Sequence, residues 1–249
     1  MLSQNEQQIK ACYLKKELPL LDTPINVRIK FRKVGNLQYI SHLDLQRTLH
    51  RILVRAGIPM WYTQGFNPHA KIVFSTPLSV GAQSECELVD IRIDREISCE
   101  RIKELLNNEV TDELKILDVY IPETKFSDVT WASYTIEVCR ESFDSTVIET
   151  MKDTVSKEEL NVTKKTKSGE KEINIIPLIK KFDVELTKEK NKVVINTLLS
   201  VNSDNYLNPE LLLFALNREC GLLDAEPDKI SYTIMRNTTY FEDGVTPFR

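Results

Sequence analysis

The chain has 249 residues, 41% of them hydrophobic and 28% charged, with a formal net charge of −4, which is enough for two domains each burying its own core. No apolar run approaches the roughly 18 residues a membrane span needs, and the opening "MLSQNEQQIKACYLKKELPLL" lacks the apolar centre of a signal peptide; a cytoplasmic protein is expected. The five cysteines, Cys12, Cys86, Cys99, Cys139 and Cys220, are odd in number and scattered without a Cys-x-x-Cys pair, which argues against a disulfide framework and against a structural zinc or iron–sulfur site held by this chain alone. No cofactor and no metal are therefore expected.

Residues 1–24 read as an N-terminal extension. From Ile25 the elements follow in the order strand, helix, two strands, helix, strand. "NVRIKFRKV" alternates Val27, Ile29 and Phe31 with Arg28, Lys30 and Arg32, the period of a half-buried strand. After a Gly35–Asn36 turn, "SHLDLQRTLHRILVRAG" has Ser41 as cap with Asp44 three residues on, and Gly57 and Pro59 end it. Leu45, Leu49, Ile52, Leu53 and Ala56 form one apolar stripe, with Arg47, Arg51 and Arg55 opposite. "KIVFST" and "ELVDIRID" read as strands, "SCERIKELLNNE" as a capped helix and "LKILDVYI" as the last strand. This order is that of a ferredoxin-like sandwich, an antiparallel sheet with helices on one face.

The order repeats from near Thr130. "WASYTIEVC" is a strand and "SFDSTVIETMKDTV" a helix; "LNVTKKTKSGEKEINII" is a hairpin turning at Ser168–Gly169. "KFDVELTKEKNKVVINTLLS" is a second hairpin turning near Lys190–Asn191, "NPELLLFALNREC" a helix capped by Asn208 with Pro209 at its first position, and "KISYTIMRN" closes. The expected architecture is α+β: two tandem ferredoxin-like domains with antiparallel sheets, residues 25–125 and 126–249, the second carrying an extra hairpin.

Charge is unevenly distributed. Between Ile25 and Ser84 eight Lys/Arg face one acid, Asp44, for a net +7, whereas the remainder carries −11. All three histidines, His42, His50 and His69, fall in the basic quarter. An acidic protein with one basic quarter is a candidate for binding a polyanion through it, or for docking that face on an acidic protein.

Three motifs of this quarter, "SHLDL" (Ser41–Leu45), "GFNPH" (Gly65–His69) and "PLSVG…SE" (Pro77–Glu85), closely resemble the opening of the radical-SAM-linked proteins. That family is an uncharacterised bacterial domain found as a separate chain or fused behind a radical SAM enzyme. The resemblance implies a radical SAM protein as partner. This chain lacks the Cys-x-x-x-Cys-x-x-Cys of a radical-generating cluster, so it looks like the companion of such an enzyme. Tandem ferredoxin-like domains with a Gly-containing loop after the first helix are also similar to RNA-processing proteins of CRISPR systems, a likeness of fold alone.

In a ferredoxin-like domain the first strand is central and one sheet face stays uncovered, so Arg28, Lys30 and Arg32 are expected to form a row of cations suited to phosphates. Leu88, Asp90 and Arg92 would share that face, where Asp90 could instead pair with a neighbouring cation. The loop adds Tyr62, Gln64, Phe66, Asn67, His69 and Lys71, a polar, aromatic and basic set beside Gly65. Those nine residues, from Arg28 to Lys71, are the expected RNA contact, with the helix row Arg47, Arg51 and Arg55 as ordinary solvated charge.

His42 and His50, eight apart on one helix, stand about 12 Å apart by helical rise and cannot share a metal. His42 and His69 are the weak candidates for acid–base catalysis, as in metal-free RNA cleavage. The expected function is a noncatalytic RNA-binding or substrate-presenting companion of a radical SAM enzyme, possibly in tRNA or rRNA modification. A metal-independent RNA-processing enzyme and a protein-interaction module with a basic docking face are the alternatives.

Overall fold

Val27, Ile29 and Phe31 alternate with polar neighbours, and that period decides which side of the first strand is buried. In the computed structural model, which describes residues 17–166, 169–189, 191–223 and 231–249, the chain divides into two units, 1–126 together with Arg249, and 127–248. Each is a mixed α+β unit built on an antiparallel sheet. Cys12, most of the expected extension, Ser168 and Lys190 at two expected turns, and the start of "KISYTIMRN" lie outside the described residues.

The first unit runs β1 (Leu20–Lys33), α1 (His42–Arg55), β2 (Ile72–Phe74), β3 (Ala82–Arg95), α2 (Cys99–Asn107) and β4 (Ile116–Tyr120). β1 lies between β4 and β3, and β2 pairs with β3, all antiparallel. The register places Arg28 opposite Asp90 on one side and Tyr120 on the other. β1 begins at Leu20, inside the stretch taken as an extension, and β2 keeps only three of the six residues of "KIVFST".

The helices form where caps and stripes coincide. Asp44 N–H donates to the Ser41 hydroxyl at 3.2 Å, and Arg101 N–H to that of Ser98 at 3.2 Å, satisfying amides that have no partner within a first turn. Leu45, Leu49, Ile52, Leu53 and Ala56 are all buried, joined in one core by Val27, Ile29 and Phe31 of β1 and by Ile102 and Leu106 of α2. Each such Leu, Ile, Val or Phe side chain contributes about 1.5–3 kcal/mol on full burial, so both helices are held by their stripes rather than by intrinsic propensity.

The second unit runs β5 (Trp131–Cys139), α3 (Thr146–Val155), β6 (Asn161–Thr166), β7 (Gly169–Asn174), β8 (Ile179–Leu186), β9 (Lys192–Ser200), α4 (Pro209–Cys220) and β10 (Ser231–Tyr240). Its sheet has the order β10, β5, β9, β8, all antiparallel. With β6 and β7 set aside, the fourth, first, third and second strands lie side by side, the same order as β4, β1, β3, β2. The β6–β7 hairpin pairs with itself in a separate two-stranded sheet. It enters between the unit's first helix and second strand, where the first unit has its "YTQGFNPHA" loop.

Candidate nucleic-acid interface

The strand row does not form the open cationic surface that alternation predicts. Arg28 is 0% exposed. Its Nε donates to Asp90 Oδ1 at 2.7 Å and its Nη2 to Oδ2 at 2.9 Å, a bidentate pair. Nη1 donates to the Thr124 hydroxyl at 2.9 Å, Nη2 also to the Thr124 carbonyl at 3.0 Å, and the Phe126 ring lies 4.1 Å beneath the guanidinium. The segment after β4 thus covers this stretch of the strand, and Arg28 is withdrawn from any phosphate. The physical reason is charge-assisted pairing: a buried guanidinium meets a carboxylate in the fork geometry that suits both.

The remaining members of the row fare differently. Lys30 is half-buried, and the neighbouring Leu88 on β3 is buried. Arg32 is half-buried with its Nε donating to the Asp112 carbonyl at 2.5 Å. Arg92 lies 5.2 Å from the Trp61 ring. Of the three strand cations, Lys30 alone has no side-chain partner among the described residues.

The loop is the part that stays open. Tyr62 and Ala70 form an isolated antiparallel bridge, Thr63 N–H donates to the His69 carbonyl at 3.0 Å, and His69 N–H donates to the Thr63 hydroxyl at 3.1 Å. The His69 Nδ1 lies 3.1 Å from that hydroxyl and 3.2 Å from the Asn67 carbonyl. These contacts close the neck of the loop and use the polar ring face of His69 locally. Gly65 takes φ +140°, a region that L side chains avoid, and Pro68 restricts Asn67. The constrained tip leaves Phe66 112% exposed. Gln64, Asn67 and Lys71 are exposed as well, and Tyr62 is exposed enough to flank them; partial burial pushes the Tyr62 phenol above its ordinary value.

His42 stands apart from this loop's bonding. Its ring packs edge-on against Phe74 at 4.8 Å, and Phe74 meets Phe31 at 6.5 Å in the same fashion, so the imidazole anchors the start of α1 on β2. Among the described residues, no hydrogen bond or ring contact joins His42 to His69. Among the described residues no group of three or more His, Cys, Asp and Glu side chains is arranged to hold a metal ion, and no helix is long and apolar enough to cross a membrane.

Sequence reasoning overlooked Lys33. It stands in phase with Val27, Ile29 and Phe31, on the core side of β1, and is 2% exposed. Its ammonium donates to the carbonyls of Gln38 at 3.3 Å and Ala82 at 3.5 Å, while Gly81 N–H donates to the Gln38 carbonyl at 2.8 Å. Ser84, Cys86, Glu87 and Thr76 are buried too. The "PLSVG…SE" stretch is therefore tied to the turn before α1 through a buried polar belt, and the signal was available: a lysine at a core-facing strand position.

The fold and site define an antiparallel α+β protein with a braced aromatic loop on its first unit. The chain belongs to the family described as uncharacterized proteins conserved in bacteria (DUF2344), which matches residues 26–209. No curated protein matches the chain. Among solved structures, a chain from "Crystal Structure of a Cbf5-Nop10-Gar1 Complex" is similar, with 8% identity and a TM-score of 0.46 over 87% of this chain and 50% of that one. The present chain spans about half the length of that one.

Proposed function

We propose that this protein is a noncatalytic RNA-binding companion of a radical SAM enzyme, with the Gly65–His69 loop as its RNA contact. One observation carries the RNA half: the phenyl ring of Phe66 stands fully in water at the tip of a loop whose neck is held by hydrogen bonds. An exposed, pre-positioned ring flanked by Tyr62, Gln64 and Lys71 suits stacking on an unpaired base, with the ammonium near the backbone. The radical SAM half is carried by the resemblance of "SHLDL", "GFNPH" and "PLSVG…SE". The finer reading of the fold, a ferredoxin-like sandwich in each unit, is supported by the recurring strand order and by helices at matching places in the element order.

The binding surface in this reading is the loop with Lys71 and Lys30, without Arg28. Fluorescence anisotropy with labelled tRNA and rRNA fragments in EDTA tests it. Phe66→Ala is expected to weaken binding by about 1–3 kcal/mol, the range for one stacked base, and Lys71→Glu to reduce the slope of log affinity against log salt by about one or more. Unchanged affinity in both variants would remove the loop from the site. If the RNA were cut and His42→Ala or His69→Ala abolished cutting, the RNA-processing reading would replace this one. The enzyme partner is tested separately, by co-purification with a co-expressed radical SAM protein from the same genome.

A further inference from the structure

Alongside α1 in the first unit lies a cleft of about 330 Å³, at the small end of the range for ligand sites. Leu37, Ile52, Val110 and Leu114 give it an apolar lining, while Thr48, Thr111 and Arg51 contribute polar groups. Arg55 and Glu109 also line it and satisfy each other: Arg55 Nε is 3.1 Å from the Glu109 carboxylate, and Nη2 donates to the Glu109 carbonyl at 2.9 Å. Arg51, one helical turn earlier, is exposed and has no partner among the described residues. The same exposed ridge continues back at four-residue spacing through Arg47 to Leu43, which is 59% exposed, and Tyr39 before it is 66% exposed.

A nucleic acid strand fits this surface poorly. Arg55 is held by Glu109 at 3.1 Å and Arg47 has Asp44 at 3.5 Å, so among the described residues the ridge offers a single free guanidinium rather than the row of cations that a run of phosphates needs. What remains is one unpaired guanidinium above an apolar floor, next to exposed aliphatic and aromatic surface. That combination is complementary to a carboxylate beside an aliphatic side chain, since Arg presents a planar fork to carboxylates and exposed apolar patches mark protein contacts. We propose that the cleft and the α1 ridge dock an acidic, leucine-bearing segment of a protein partner, an aliphatic side chain seated over Ile52 and Leu114 and a carboxylate on Arg51. This site shares no residue with the loop and stands or falls independently of it.

The test uses the whole chain and three fluorescein-labelled probes: a short peptide of alternating glutamate and leucine, its glutamate–serine counterpart, and a single-stranded RNA. The glutamate–leucine peptide is expected to bind, and the glutamate–serine peptide to bind about tenfold more weakly or worse, because it cannot fill the apolar floor. Arg51→Glu is expected to lower the affinity of the first peptide by about tenfold or more. Thr111→Trp, which fills the cleft and leaves the ridge charges in place, should do the same, and Phe66→Ala should change nothing. Failure of both peptides to bind, equal binding of the two, or full affinity in Arg51→Glu overturns the proposal. Loss of RNA binding rather than peptide binding in Arg51→Glu overturns it as well and makes this face a nucleic-acid site.

Discussion

Two rows of cations in the first unit, one on a strand and one on a helix, have opposite fates. Arg28, Lys30 and Arg32 recur every second residue on β1, and Arg47, Arg51 and Arg55 recur every fourth on α1. As patterns they are equally regular. On the strand, Arg28 is sealed between Asp90, Thr124 and Phe126 and Arg32 is tied to the Asp112 carbonyl. On the helix, all three arginines remain exposed, Arg55 with the Glu109 carboxylate at 3.1 Å and Arg47 with that of Asp44 at 3.5 Å. The difference shows that a polar side of a strand need not be a surface, because a later segment can cover it whenever it brings acceptors for the buried donors.

The largest expected effect tests the sealed state directly. Arg28→Ala strips Asp90 of its partner in a nearly closed setting and is expected to cost about 3–5 kcal/mol, as for other broken buried pairs, read as a lower urea midpoint with unchanged slope. Lys30→Ala beside it should stay within about 0.5 kcal/mol. Equal, small losses for both would mean that Arg28 is not sealed, and the strand row would return as a binding surface.

Lys33 sharpens the comparison, being a buried lysine without the fork geometry of arginine. Lys33→Met leaves the Gln38 and Ala82 carbonyls without this donor and is expected to cost roughly 1–3 kcal/mol. Limited proteolysis should then find its new cleavage near residues 35–41 or 76–84, since these are the segments the ammonium joins.

At the exposed extreme, the Arg47–Asp44 pair at 3.5 Å is open to solvent on both sides. Arg47→Ala is expected to change stability by no more than about 0.5 kcal/mol, and thermal melts of the two proteins should overlay.

The smallest effect is a pH dependence in the second unit, where Glu219 accepts hydrogen bonds from Lys157 at 3.0 Å and Arg218 at 3.1 Å. The Lys157 bond, then that of Arg218, holds the Glu219 carboxyl below its ordinary value. Its contribution is therefore present above the unfolded pKa of about 4.3 and is lost as pH falls through the lower folded value. Glu219→Gln should lower the midpoint slightly at neutral pH and flatten its decline over that acid range; a steeper decline in the variant would contradict the assignment.

The two excursions between first helix and second strand make a second contrast. In the second unit this position carries β6 and β7, whose backbone groups pair with each other from Asn161–Asn174 to Thr166–Gly169. In the first unit it carries a loop with one bridge, Tyr62–Ala70, and side-chain bonds through Thr63 and His69. A ladder uses backbone groups in regular pairs, whereas a braced loop leaves its tip residues outward. The loop tip carries the exposed aromatic Phe66, whereas β6 and β7 contain no aromatic residue.

Local chemistry was sufficient for much of this protein. The Ser41, Ser98 and Asn208 caps, the Leu45–Leu49–Ile52–Leu53–Ala56 stripe and the alternation of β1 could be read from the sequence, because helix and strand periods and capping bonds involve residues only a few positions apart. The exposure of the loop was half legible: Gly65 and Pro68 marked a constrained turn, yet nothing in "GFNPH" said whether Phe66 would face the core or water. Tertiary structure alone decided that, as it decided the fate of Arg28. Thr124 and Phe126 lie nearly a hundred residues from Arg28 in the chain, and Asp90 and Glu109 choose their arginines only after the strands and helices have packed. Burial of a charge depends on which distant acceptors arrive beside it, and a periodic pattern carries no record of them.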